Sequence, residues 1–426
     1  MLSHRCLPIL LLCSCSSGGG GAALAITSSA PTLATIRMPY AYALTSAHGA
    51  GPVTYQLLAA PAGMSVDAAG MVTWNPQYAD LGTHPVSIEA SDGTHTATQD
   101  FDLRVNQGML LGTALSWRGH TSGGSPQDVI DHLAGHSPWG SIVAFHANWR
   151  DPGDSGGEIP NLATFAMTTA ALHGFVPAVG IGWADGSGVP DLTSDSEPAN
   201  DSWTNLETRD EFRQMLVDFA MANKPPYLFL GNETNTYALT HSAAEWSAWL
   251  SEYGECYDAI KAVSPTTLVF TVFQLEHLLG LGANNGWSDP ARWDLVDDQV
   301  ALGKLDALGF TSYPYFEYPT PAAIPAGYYG EIALHWTGPV AFTEIGWLAS
   351  ASVPYPGSES DQAAYVARFF ELTQDLDLEY ASWLFLHDWD GQAALPAFRD
   401  IGFRSNDGSV IRMSDTAWRA EASLRE

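Results

Sequence analysis

The chain has 426 residues, 46% of them hydrophobic, which is more than one ordinary domain needs and enough for a full core. Its formal net charge of -30 comes from 47 acidic against 17 basic residues, and only three of the latter are lysines (Lys224, Lys261, Lys304). That balance excludes nucleic acid as a partner, because polyanion binding is driven by Lys and Arg releasing counterions; so acidic a surface reads as solubility, in a salty habitat for example, before it reads as attraction for a cationic substrate.

The first 21 residues, MLSHRCLPILLLCSCSSGGGG, combine a basic start at Arg5, an apolar run from Leu7 to Leu12 and small residues after it, the order of an export signal. Leu12-Cys13-Ser14-Cys15 resembles a bacterial lipobox, which implies lipidation of Cys15, with Ser16 to Gly21 as a flexible tether. A plain secretory signal is the alternative. The expected location is the bacterial cell envelope, held by an N-terminal lipid at the outer membrane or cell surface, or else the medium. No later stretch is long and apolar enough to span a bilayer. Cys6, Cys13 and Cys15 all lie in this leader, so the body keeps only Cys256, expected as a small core residue in a helix.

Residues 25–106 show short alternating runs separated by turn residues and no helical period, which predicts an all-β sandwich. The segments MPYAYAL, VTYQLLAAPAGMSVDAAGMVTWNP and GTHPVSIEASDGTHTATQDFDLRV resemble the Ig- or cadherin-like module of bacterial surface proteins, with landmarks at Tyr40, Tyr42, Gly63, Met64, Gly70, Trp74, Asp92, Gly93 and Phe101. The resemblance implies a spacer or adhesion role. Met64 and Trp74 are expected in its core. Its acidic residues form no recognisable loop of calcium ligands.

From residue 108 to 426 apolar strands alternate with amphipathic helical stretches, the sign of repeated βα units. Eight strands are predicted, at 109–114, 142–147, 175–181, 226–230, 268–273, 307–311, 340–343 and 382–386. Eight is the barrel number, and about 320 residues fit a (β/α)₈ TIM barrel with loop insertions. The fold class is therefore multidomain, an Ig-like sandwich followed by a TIM barrel. A doubly wound sheet is the alternative, but no Gly-rich phosphate loop follows the first strand. Thr208 with Glu211, and Ser242 with Glu245, have the spacing of capping boxes, and Leu250, Tyr253, Tyr257 and Ile260 form an expected buried face.

Two carboxylates stand where apolar strands end: Glu233 in LFLGNETNTY after strand four, and Glu344 in PVAFTEIGW at strand seven. The C-terminal ends of barrel strands open on one face, where such barrels do their chemistry. A carboxyl pair flanking one bond is what glycoside hydrolysis requires, with one group as proton donor and the other as nucleophile or base. A lone Glu at a strand end is more often a solvated side chain or a loop cap. Asn232-Glu233, Glu344, Tyr313 in FTSYPYF and Trp383 in ASWLFLHDWDG together resemble clan A of the glycoside hydrolases, retaining β-glycosidases on TIM barrels. The resemblance implies Glu233 as acid/base, Asn232 on the sugar 2-hydroxyl, Glu344 as nucleophile, Tyr313 hydrogen-bonded to Glu344, and Trp383 stacked under the sugar. GNE, SYPYF and TEIGW are nearest to the endo-β-1,4-galactanases. VPAVGIGWADG, however, lacks the His that many clan members place at strand three, and the strand-two Trp-Arg-Asp-Pro matches only in part.

Trp117, Trp149, Trp183, Trp347, Trp383 and Trp389 lie at or just beyond strand ends, a rim suited to the apolar faces of sugars, although core packing is the default for any one of them. His146 and Arg150 after strand two are candidate substrate contacts or orienters of Glu344, and an ordinary surface ion pair is the alternative for Arg150. Gln274, Glu276 and His277 after strand five carry less weight. His387 and Asp388 read as substrate contacts or polar loop groups. The thirteen His show no zinc spacing, so no metal and no cofactor are expected. The expected partner is a carbohydrate substrate, and the chain is expected as a monomer. A non-catalytic glycan-binding or adhesion lipoprotein on the same barrel is the competing function; an esterase lacks its G-x-S-x-G elbow.

Overall fold

The computed structural model describes residues 23–36, 38–119, 125–149, 161–183, 202–389 and 396–425. Cys15 and Arg150 lie outside the described residues. The chain divides after Asn106 into two compact units.

In the first unit, strands Tyr40–Ala43 and Met71–Trp74 bury every second residue (Tyr40, Tyr42, Val72, Trp74), so each turns one face inward. One sheet is ordered Leu33–Thr35, Thr96–Asn106, Gly82–Ser91, Thr54–Ala59, and a second is ordered Tyr40–Ala43, Met71–Trp74, Ser65–Val66. Their inner faces share a core that includes Met64, Trp74, Val86, Ile88, Leu103 and Val105. The indole of Trp74 donates to the Ala62 carbonyl at 3.0 Å, which satisfies the one polar atom of that buried ring.

The second unit holds nine parallel strand segments in one sheet. They form the eight strands of a barrel: β1 Leu110–Ala114, β2 Ile142–Asn148, β3 Val176–Gly182, β4 Tyr227–Leu230, β5 in two pieces Leu268–Phe270 and Val272–Gln274, β6 Leu308–Ser312, β7 Val340–Ile345 and β8 Leu378–Trp383. β8 pairs with both β7 and β1. The first piece of β5 pairs with β4 and the second with β6. Across the break, Thr271 Oγ1 donates to the Leu230 carbonyl at 2.8 Å while the Thr271 carbonyl accepts from Gly309 N–H at 3.0 Å, which brings the ring together. The interior is filled by Ile142, Ala178, Tyr227, Phe229, Phe270, Val272, Ala307, Ala341 and Tyr380. Gly180 leaves the room that Phe229 needs: a Cβ there would sit 2.0 Å from that ring. β8 begins and ends earlier than the apolar run SWLFL predicts, and Leu384 and Leu386 are buried in the loop that follows it.

A second, larger core lies between the sheet and the helices. The helix Leu206–Asn223 is capped by Asn205, whose side chain accepts from Glu207 N–H, and not by Thr208, which is buried inside the first turns. Ser242 does cap the helix Ala243–Val263, but Glu245 does not reciprocate; its carboxylate accepts from the Trp203 N–H and the Tyr237 hydroxyl, both at 2.8 Å. That helix buries Trp246, Trp249, Tyr253, Cys256 and Ile260, while Leu250 and Tyr257 are only partly covered. A reciprocal capping box does form at Ser125 and Asp128. Among the described residues, no helix is long and apolar enough to cross a membrane.

Candidate active site

The turn after β4 is built for close quarters. Gly231 has φ 76°, and a Cβ on it would lie 2.3 Å from the Trp183 ring, so only glycine serves there. Two residues on, Glu233 takes a left-handed φ of 54°, a conformation that a side chain adopts only when its surroundings enforce it. The enforcement follows at once in sequence. Thr234 Oγ1 donates to the Val272 carbonyl at 3.2 Å, and the Asn235 amide exchanges two 2.8 Å hydrogen bonds with the Gln274 backbone. These bonds tie the turn to β5.

Glu344 ends β7 one residue before its last, where the register against β6 slips by a bulge and places Thr311 opposite it. Three groups meet its carboxylate. The Tyr313 hydroxyl donates to Oε2 at 2.5 Å, Asn232 Nδ2 donates to Oε1 at 3.2 Å, and His146 Nδ1 stands 3.5 Å from Oε1. Asn232 lies in the turn after β4 and Glu344 near the end of β7, so the contact spans the barrel mouth. Thr311 Oγ1 donates to Glu233 Oε1 at 2.6 Å. Burial, and after it the nearby charge of Glu344, pushes the Glu233 carboxyl up to about 8 against the opposing Thr311 hydrogen bond. Burial and then the Glu344 charge push the Tyr313 phenol far above its ordinary range, so it remains a donor. The arrangement offers one carboxyl that keeps its proton beside another that is met by donors, which is the division of labour between an acid and a nucleophile.

Of the six tryptophans expected on the rim, only Trp389 is partly exposed. Trp149, Trp183, Trp347 and Trp383 are all buried, and so is Trp117. Trp183 packs 4.1 Å from Trp249 and 5.0 Å from Trp203; Trp149 lies 5.1 Å from Phe212; Trp347 lies 5.5 Å from Tyr365. Trp383 stacks 4.7 Å from Phe403 and donates its indole N–H to the Ile401 carbonyl at 2.8 Å, so it is closed to a sugar. The reason is parity: large rings on the outward side of a strand end fill the layer between sheet and helices, and that layer needs them. His387 and Asp388 serve the loop, His387 Nδ1 lying 3.0 Å from the Ser116 carbonyl and Asp388 holding Arg412.

Nothing local in the sequence singles out Thr311 or Phe398. Thr311 lay inside the quoted FTSYPYF without a motif of its own. Phe398, beyond β8, is half-buried with its ring 5.1 Å from that of Tyr313. Among the described residues, no group of three or more His, Cys, Asp or Glu side chains is placed to hold a metal ion.

Residues 23–106 match the model of the family described as Putative Ig domain. The N-terminal unit is an Ig-like sandwich. No curated protein matches the chain. Among solved structures, a family 39 glycoside hydrolase from the gut symbiont Bacteroides cellulosilyticus WH2 is 17% identical with a TM-score of 0.50, over 94% of this chain and 82% of that one. The exo-beta-1,4-mannosidase Op5Man5 from Opitutaceae bacterium strain TAV5 is 15% identical with a TM-score of 0.53, over 74% of this chain and 60% of that one. At such identities the likeness is one of fold, a parallel-stranded barrel ringed by helices.

Proposed function

We propose that the barrel is a retaining, endo-acting glycoside hydrolase of clan A type that cleaves a β-linked polysaccharide or oligosaccharide. The observation that carries this reading is the carboxyl pair itself: Glu233 hydrogen-bonded by Thr311 with its carboxyl pushed upward by burial, and Glu344 held by Asn232 and Tyr313. In the first half-reaction a Glu344 oxygen attacks the anomeric carbon and the Glu233 proton goes to the departing glycosidic oxygen. In the second, Glu233, now ionised, takes a proton from water as that water displaces Glu344 from the sugar. Asn232 Oδ1 is buried without a partner in the structure, which suits it to accept a hydrogen bond from the sugar 2-hydroxyl. His146 stands on the same side of Glu344 and is assigned to substrate contact or to orienting the nucleophile.

The fold neighbours support a carbohydrate substrate, since those described above are titled as a glycoside hydrolase and a mannosidase. The experiment is a panel of β-linked glycans with reducing-end detection and product sizing, run with wild type, Glu344→Gln and Glu233→Ala. Glu344→Gln should be inactive, because an amide cannot form the glycosyl ester. Glu233→Ala should lose about 10²- to 10⁴-fold on unactivated substrates, and an activated aryl glycoside with added azide should recover part of that loss. Full activity in Glu344→Gln would end the proposal. Internal cleavage products distinguish endo from exo action.

We further propose that Cys15 carries a lipid which holds the mature chain at the cell envelope, with residues 16–21 as tether.

A further inference from the structure

Three consecutive residues of β6 and its end each meet a different carboxylate. Thr311 donates to Glu233, Ser312 to Glu276 at 3.0 Å, and Tyr313 to Glu344. The middle partner is fully buried and lies at the start of the short helix Leu275–Leu279 that follows β5. Four donors surround it: the Tyr313 backbone N–H at 2.8 Å, the Ser312 hydroxyl, the Tyr328 hydroxyl, and Gln274 Nε2 at 2.5 Å. Ser312 also meets the Tyr329 hydroxyl at 3.1 Å, which meets that of Tyr365 at 2.8 Å. Isolating a carboxylate from water costs several kcal/mol and is sustained only by such a set of donors, whereas a neutral side chain could fill the same volume without that cost.

We propose that Glu276 is a positioning residue for the catalytic pair: from behind β6 it fixes the strand end from which Thr311 reaches Glu233 and Tyr313 reaches Glu344. It grips the backbone of Tyr313 itself, so the phenol that donates to Glu344 is aimed by a carboxylate that no substrate can touch. Burial pushes the Glu276 carboxyl itself upward against its donors, and its charge makes the smallest contribution to keeping the Glu233 proton in place. The other titratable groups around Glu276 are the phenols of Tyr313, Tyr315, Tyr318, Tyr328, Tyr329 and Tyr365, all pushed upward, and around the pair there is also His146. The kinetic part of this inference rests on the glycosidase reading; the geometric part does not.

The test follows the carboxyl titrations of Glu233 and Glu344 by NMR in full-length protein labelled with ¹³C at the Glu carboxyls, in wild type, Glu276→Gln and Ser312→Ala, the signals being assigned with Glu233→Gln and Glu344→Gln. In Glu276→Gln the Glu344 step should rise as the Tyr313 hydroxyl loses its aim, and the Glu233 step should fall as a neighbouring charge is removed, each by about 0.5 to 1 pH unit. kcat should fall about 10- to 100-fold while KM moves less than about 3-fold. Titrations that superimpose on wild type would overturn the proposal whatever the loss of activity. If wild type cleaves no glycan, the glycosidase reading fails while the titrations still decide this one. Should Glu276→Gln not fold, Ser312→Ala, which cuts one link and keeps the charge, decides instead: a raised Glu344 step supports the role, and an unmoved one refutes it.

Discussion

The Trp183 indole fills the space that a side chain on Gly231 would need, with 2.3 Å between the ring and a Cβ placed there. Gly231→Ala therefore meets two penalties, a positive φ worth about 1–2 kcal/mol and overpacking worth about 1–3 kcal/mol, so a loss of about 2–5 kcal/mol is expected in denaturant unfolding. Because Glu233 lies two residues on, turnover should fall in the protein that remains folded. A variant of wild-type stability would show that the turn relaxes without using the indole.

The pH profile of kcat/KM should lose activity on a basic limb near 8, because Glu233 must hold its proton to assist the leaving group. Stability carries the same signature. The folded value lies above the ordinary 4.5, so the folded chain keeps a proton that the unfolded chain has released. That contribution is complete below about 4.5 and is lost as pH rises towards about 8. Unfolding free energies measured across this window should decline in wild type and decline less in Glu233→Gln; parallel curves would refute the raised carboxyl.

Trp383→Ala should cost about 3–5 kcal/mol of stability, the range for emptying a buried ring site, since the side chain is fully enclosed. Phe398→Ala should leave the unfolding midpoint nearly unmoved and raise KM severalfold, because its half-buried ring borders Tyr313. The reverse pattern, a stable Trp383 variant with weakened substrate binding, would restore Trp383 as the sugar platform.

Cys15→Ser should move the protein from the membrane fraction to the soluble one, or stall its processing. Mass spectrometry of a mature N-terminus that begins elsewhere and carries no lipid would dismiss the lipobox.

The fold was legible where periodicity is strong. Alternation in YAYA and MVTW announces the sandwich, and eight apolar runs at helical intervals announce the barrel. The places of Glu233 and Glu344 were legible because each lies near or just past the end of an apolar strand, Glu233 next to Asn232. The tryptophans were not. Whether Trp183 or Trp383 faces the mouth or the helices depends on a parity that a strand boundary misplaced by a few residues reverses, as at β8. Glu276 carried little weight for another reason: its four donors come from residues 274, 312, 313 and 328, and no local spacing gathers them. Thr208 failed as a cap because Asn205, three residues earlier, competes for the same turn.

The wiring of β6 sets what kinds of genetic change the site can absorb. Thr311, Ser312 and Tyr313 each reach a different acid, with Ser312 turned away from the mouth towards Tyr329 and Tyr365. Replacing one of them cuts only its own contact directly and keeps the pairing register of the strand. Inserting or deleting one residue between Leu308 and Ser312 would exchange the two faces and cut all three at once. Variation at this strand is thus confined to substitution, and any length change in a descendant would have to settle in the loops on either side.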